Sequence, residues 1–204
     1  DEQPNMRVQV EFYGAQAETL TDAEGFFAAE VSPAQPPDPA IPWHFAKVRV
    51  VGGDAGADRS ASVLATAEAA VLIPPATARF GVISDIDDTI LVSDAPRKLR
   101  SASLMLLGNA HSRVAFDGVA AFYTALQAGV TGREQNPVFY VSSSPWNIFD
   151  FLVQFMQVNA IPIGPITLRD YGLDEHALSS FEHGAHKLGA IRHILASYPQ
   201  LPFL

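Results

Sequence analysis

Cysteine is absent from the 204 residues, which excludes disulfides and thiolate metal sites. Positive charge is scarce: 13 Lys and Arg face 22 Asp and Glu, for a net charge of −9. A field of that sign repels nucleic acid and anionic lipid unless a local basic cluster offsets it. No apolar run reaches the roughly 18 residues that would span a bilayer. Asp1-Glu2-Gln3-Pro4 lacks the positive and apolar regions of a signal peptide. The absent initiator Met leads us to expect a segment removed upstream, so the location stays open, with a cytoplasmic or membrane-peripheral one favoured. What is present reads as globular: 48% hydrophobic and 17% charged residues, enough for one or two domains with a sizeable core.

The most informative stretch is Asp85-Ile86-Asp87-Asp88-Thr89. It follows the apolar run Phe80-Gly81-Val82-Ile83-Ser84, which predicts a buried strand. Asp85 and Asp87 therefore fall where a strand gives way to a loop, the edge at which open parallel sheets bind ligands. Two carboxylates so close call for a counter-charge, and Mg²⁺ suits hard oxygen donors. Turn aspartates are the plainer alternative. A calcium loop fails on spacing, because its fifth, sixth and twelfth places would be Thr89, Ile90 and Pro96.

Three segments add to this. Val138-Phe139-Tyr140-Val141 predicts a second buried strand, ending in Ser142-Ser143-Ser144-Pro145. Pro145 with a serine N-cap would open a helix from Trp146 to Val158; taken alone this reads as a plain serine cap, and with the other motifs as a phosphate or oxyanion cradle of amides and hydroxyls. His186-Lys187 opens a helical pattern through Leu188, Ile191, Ile194 and Leu195, where Lys187 either is simply solvated or reaches back to a phosphoryl group. Leu201-Pro202-Phe203-Leu204 begins a further strand.

In this order the motifs resemble the haloacid-dehalogenase superfamily of aspartate-nucleophile phosphohydrolases. The segments Ala78 to Ile90, Tyr140 to Asn147, Leu168 to Leu173 and His186 to Arg192 narrow the resemblance. They are similar to the phosphatidate phosphatase family of the yeast actin-patch type, which is related to lipin catalytic domains. The resemblance implies a three-layer α/β domain with a parallel sheet and a Mg²⁺-dependent hydrolysis of a phosphomonoester. It implies Asp85 as nucleophile and metal ligand, and Asp87 as general acid and base with its carbonyl also on the metal. Ser142, with Ser143, would bind phosphoryl oxygens, Lys187 would neutralise transition-state charge, and Thr89 would brace the loop. The implied substrate is an anionic phospholipid such as phosphatidate, with peripheral membrane contact and no nucleic acid. Soluble phosphomonoesters, or lipid-phosphate binding without catalysis, are the alternatives. The family carries a further acidic motif beyond the lysine helix, yet no Asp or Glu follows Lys187. The expectation is therefore a domain truncated at its C-terminal end, binding Mg²⁺ weakly and turning over little.

Residues 1–75 read differently. Val8, Val10 and Phe12 alternate with Arg7, Gln9 and Glu11, predicting a half-buried strand. Thr21 to Gly25 predicts a turn into a strand Phe26 to Val31, and Phe45 to Val51 and Ala65 to Ile73 supply two more. Such spacing predicts a small antiparallel β-sandwich, with a turn that resembles transthyretin-like modules, bounded at Pro74-Pro75 before a catalytic domain over 76–204. Residues 94–136 are too long for a simple connection and predict a partly helical cap over the site. Its Arg97, Lys98, Arg100, His111 and Arg113 would draw in an anion or form a solvated helix face, while Leu104 to Leu107 would meet acyl chains or the core.

Overall fold

A computed structural model of the chain describes residues 3–52, 62–86, 89–90, 116–169 and 180–204. The chain divides into two compact units, Asp1–Ile73 and Pro74–Leu204.

The first unit is one antiparallel sheet in the order β2-β1-β3-β4, built from β1 (Arg7–Phe12), β2 (Ala15–Leu20), β3 (Trp43–Gly52) and β4 (Ser62–Leu72). Alternation in β1 buries Val8, Val10 and Phe12 against Ala46 and Val48 of β3, because successive strand residues point to opposite faces. The expected sandwich is corrected here: among the described residues there is a single sheet, not two facing ones. Phe26 to Val31, expected as a strand, is irregular, and Val31 alone of its apolar residues packs on the sheet's core. The second strand is instead Ala15–Leu20, joined to β1 by a two-residue hairpin. Tyr13 (φ 44°) and Gly14 (φ 77°) both take the left-handed conformation that such a turn needs. Tyr13 is held there by its hydroxyl, 2.8 Å from His44 Nδ1. The predicted turn does form: Asp22 Oδ1 accepts from the amides of Glu24 and Phe26, and Gly25 takes φ 84°.

The second unit is a parallel sheet in the order β5-β6-β7, comprising β5 (Val82–Asp85), β6 (Val138–Pro145) and β7 (Ile166–Arg169). Phe203 adds a parallel bridge to Gly81, on the side of β5 away from β6. The expectation of extended chain at residues 201–204 is met at that bridge. Among the described residues, three α-helices accompany the sheet: α1 (Val119–Ala128), α2 (Phe149–Val158) and α3 (Ser180–Ser197).

One face of the sheet is covered by α1 and α2. Ile148, Leu152, Phe155 and Met156 recur at helical spacing and are at most 7% exposed, and they join Val82, Tyr140, Leu168, Val119 and Tyr123 in one core. Each such side chain contributes about 1.5–3 kcal/mol by leaving water. The other face carries α3, and Tyr198, just past its last residue, sits 5.3 Å, ring to ring, from Phe139. Of the cap expected over 94–136, the part forming α1 is core structure instead, and 91–115 lie outside the described residues.

Two helix boundaries differ from expectation. Pro145 ends β6 in an extended conformation without a side-chain cap. A single 3₁₀ turn, Trp146–Ile148, then leads into α2. Helix α3 starts at Ser180, so Lys187 stands two turns inside it. Ile194 is its buried anchor, whereas Leu188 and Leu195 are exposed.

Below the sheet's amino edge, Asn136 ties the elements together. Its Oδ1 accepts from the amides of Arg79 and Phe80, and its Nδ2 donates to Leu126 O and to Glu134 Oε2. All four side-chain bonding positions of a fully buried amide are thereby filled. The bond from Asn136, with lesser help from the Thr131 amide, holds the Glu134 carboxyl below its ordinary pKa.

Candidate active site

Asp85 is the last residue of β5, so its carboxylate stands at the carboxyl edge of the sheet, where ligands of parallel sheets bind. It is level with Val141 of β6, which is level with Thr167 of β7. The three residues therefore share one face, and Arg169, two residues beyond Thr167, shares it too. That face is the one α3 covers, because Lys187 Nζ reaches across to Asp85 Oδ1 at 2.7 Å. The distance is that of a charge-assisted hydrogen bond. The two side chains are 29% and 39% exposed, open enough for a ligand to approach.

The loop after Asp85 is pinned at both ends. Ile86 and Ile90 are buried in the core, and the amides of Thr89 and Ile90 both donate to Ile86 O. Thr89 itself is exposed and joins this turn through its backbone. Asp87 and Asp88 lie outside the described residues.

Next to Asp85, β6 carries the serines. Between the pairs Val141–Thr167 and Pro145–Arg169, β6 advances four residues while β7 advances two. The surplus makes a bulge of Ser142 to Ser144, a device that re-aims side chains beside functional sites. Ser142 is fully buried and its Oγ accepts from the Ser144 amide at 2.9 Å. Ser143 is the more open of the three.

The structure thus brings together Asp85, Lys187 and the Ser142–Ser144 bulge at one edge. Sequence reasoning overlooked two supports. Ser84 points into the core, where its Oγ donates to Asp85 O at 2.9 Å and bonds the Tyr123 hydroxyl of α1. Its place one residue before the acid, in a strand otherwise apolar, was the available signal. Arg169 is the second, and nothing in its sequence neighbourhood announces a strand end.

A carboxylate oxygen at a strand end is the donor chemistry that suits Mg²⁺. Asp85 is the member of the expected metal pair that lies among the described residues. No group of three or more His, Asp and Glu residues that could hold a metal occurs among those residues.

A parallel sheet with an ion-paired acid at its carboxyl edge defines an α/β unit with a polar site at that edge. Comparison with known proteins places it more closely. The family described as phosphatidate phosphatase APP1, catalytic domain, matches residues 80–204, and the chain belongs to that family. It is 32% identical over 125 residues to the Saccharomyces cerevisiae protein named Phosphatidate phosphatase APP1. The match covers 61% of this chain and 20% of the yeast protein, so the chain spans only about a fifth of that relative.

Proposed function

We propose that this chain hydrolyses a phosphomonoester of lipid character, such as phosphatidate, in a Mg²⁺-dependent reaction through an aspartyl-phosphate, on a haloacid-dehalogenase-like domain. The observation that carries this reading is the 2.7 Å contact of Lys187 with Asp85 at the sheet's carboxyl edge, inside the segment that matches the family. The lipid substrate rests on the family's name alone.

In this reading an Asp85 carboxylate oxygen attacks phosphorus, and the bond from phosphorus to the alkoxy oxygen breaks. Asp87 gives its proton to the departing alkoxide, so that a neutral alcohol leaves. Asp87 then takes a proton from water as that water attacks the aspartyl-phosphate. Inorganic phosphate departs and the Asp85 carboxylate is regenerated. Ser142 and Ser143 hold non-bridging oxygens, and Lys187 balances the charge gathering on them. Asp85 and Asp87 would hold Mg²⁺, which when bound offsets the repulsion between carboxylate and phosphate. Basic residues of the 94–115 segment, Arg97, Lys98, Arg100 and Arg113, would counter the net charge of −9 where an anionic headgroup enters.

The test is phosphate release by the full-length gene product from phosphatidate in mixed micelles and from glycerol phosphate, with and without Mg²⁺. Mg²⁺-dependent release that prefers the lipid is expected. Equal release from glycerol phosphate would remove the lipid from the reading. Mg²⁺-dependent binding to phosphatidate vesicles without any release would replace catalysis with lipid-phosphate binding.

A further inference from the structure

We propose that Arg169 is a second cationic substrate-binding residue, gripping non-bridging oxygens of the phosphoryl group across the β6 bulge from Asp85. The proposal rests on the phosphohydrolase reading for its substrate but on register alone for its geometry. Arg169 is the final residue of β7 and pairs with Pro145, the final residue of β6. It shares its sheet face with Thr167, Val141 and Asp85 through the registers of the two parallel ladders. Leu168 between them points the other way into the core, at 3% exposure.

Arg169 therefore stands on the Lys187 face and at the same carboxyl edge. It lies two strands from Asp85 and two residues higher. With strands about 4.8 Å apart and a rise of about 3.3 Å per residue, the Cα separation is roughly 12 Å. At that spacing the two side chains, both standing off the same face of the sheet, can meet one phosphoryl group held above the strand between them. The Ser142–Ser144 bulge lies on the strand between them. Lys187 is a point charge already engaged with Asp85. A guanidinium supplies what that ammonium cannot, a planar fork that takes two oxygens of one phosphate.

Inorganic phosphate is the probe, because it carries the recognised group and requires no turnover. Its affinity is measured by titration calorimetry on the full-length protein with Mg²⁺ present, together with the KM for phosphatidate. Arg169→Ala is expected to weaken phosphate binding and raise KM by roughly 10- to 100-fold, with Arg169→Lys in between. Added guanidinium ion should restore turnover to Arg169→Ala and leave Lys187→Ala unrescued, a response that a merely structural arginine would not give. Arg169→Ala that binds phosphate within about twofold of wild type would overturn the proposal. So would a loss that guanidinium does not repair and that follows a fall in melting temperature. Wild-type protein that binds phosphate through Arg169 yet releases none from any ester would keep this inference and remove the hydrolase reading.

Discussion

Lys187 and Asp85 are 102 residues apart in the chain and 2.7 Å apart in space. The contact joins helix α3 to the end of strand β5. Both side chains are substantially exposed, so solvent screens the pair and its worth to the fold is at most about 1 kcal/mol. The role proposed for the pair is accordingly chemical rather than structural.

Lys187→Met should accordingly separate the two roles. Turnover is expected to fall by at least about 100-fold, the scale of losing one preorganised charge-stabilising group. Unfolding free energy should change by less than about 1 kcal/mol. Initial-rate kinetics and urea denaturation on the same preparation measure both, and a large stability loss with modest kinetic loss would reverse the assignment.

Asn136 should behave in the opposite way. Asn136→Ala leaves the Arg79 and Phe80 amides, the Leu126 carbonyl and the Glu134 carboxylate short of partners. At about 1–3 kcal/mol for a buried polar group left unsatisfied, a loss of about 2–4 kcal/mol is expected in chemical denaturation. The KM of the surviving folded protein should stay near wild type, because this cluster lies at the opposite edge of the sheet from Asp85.

The same cluster sets an acid limb of stability. The Glu134 carboxyl is held below its ordinary value of 4.5, chiefly by Asn136. A depressed folded-state pKa means that the unfolded chain takes up the proton first. Its stabilisation is thus complete above about 4.5 and drains away as pH falls through the lower folded value. Glu134→Gln should flatten this limb in denaturation curves taken between pH 3 and 6, roughly the range that brackets carboxyl titration. An unchanged limb would assign the acid sensitivity elsewhere.

Gly164 makes a prediction about packing. A Cβ at this buried position would overlap the backbone carbonyl of Val138 at the start of β6, and backbone cannot swing aside as a side chain can. Gly164→Ala is expected to cost about 2–4 kcal/mol, read as a lower urea midpoint. A midpoint equal to wild type would show that the loop carrying Gly164 need not approach β6 so closely.

The sequence made some of this legible and hid the rest for physical reasons. Val8, Val10 and Phe12 declared β1 because one face of that strand is buried, and burial writes the period of two into the residues. Ala15 to Leu20 forms an equally regular strand, but its inward residues are Ala15, Ala17 and Thr19, too weakly apolar to stand out. Phe26 and Phe27 suggested a strand by composition, yet both are more than a third exposed. At the site, Asp85 was readable because the apolar run before it ends so sharply. The partnership with Lys187 was reachable only through resemblance, since no local spacing encodes a contact across α3 and the sheet. The place of Arg169 depends on how β7 registers against the β6 bulge, and register between parallel strands is set by tertiary packing. The serine cap was misread because Pro145 fits an extended strand end as well as a helix start.

Whether Asp85 takes the phosphoryl group is read most directly in an acid-quenched single turnover with phosphate-labelled phosphatidate. Labelled full-length protein is expected within the first turnover, with a label that hydroxylamine removes as it does acyl phosphates and no label in Asp85→Asn. Turnover by Asp85→Asn at a rate near wild type, or label that persists in that variant, would contradict that role for Asp85.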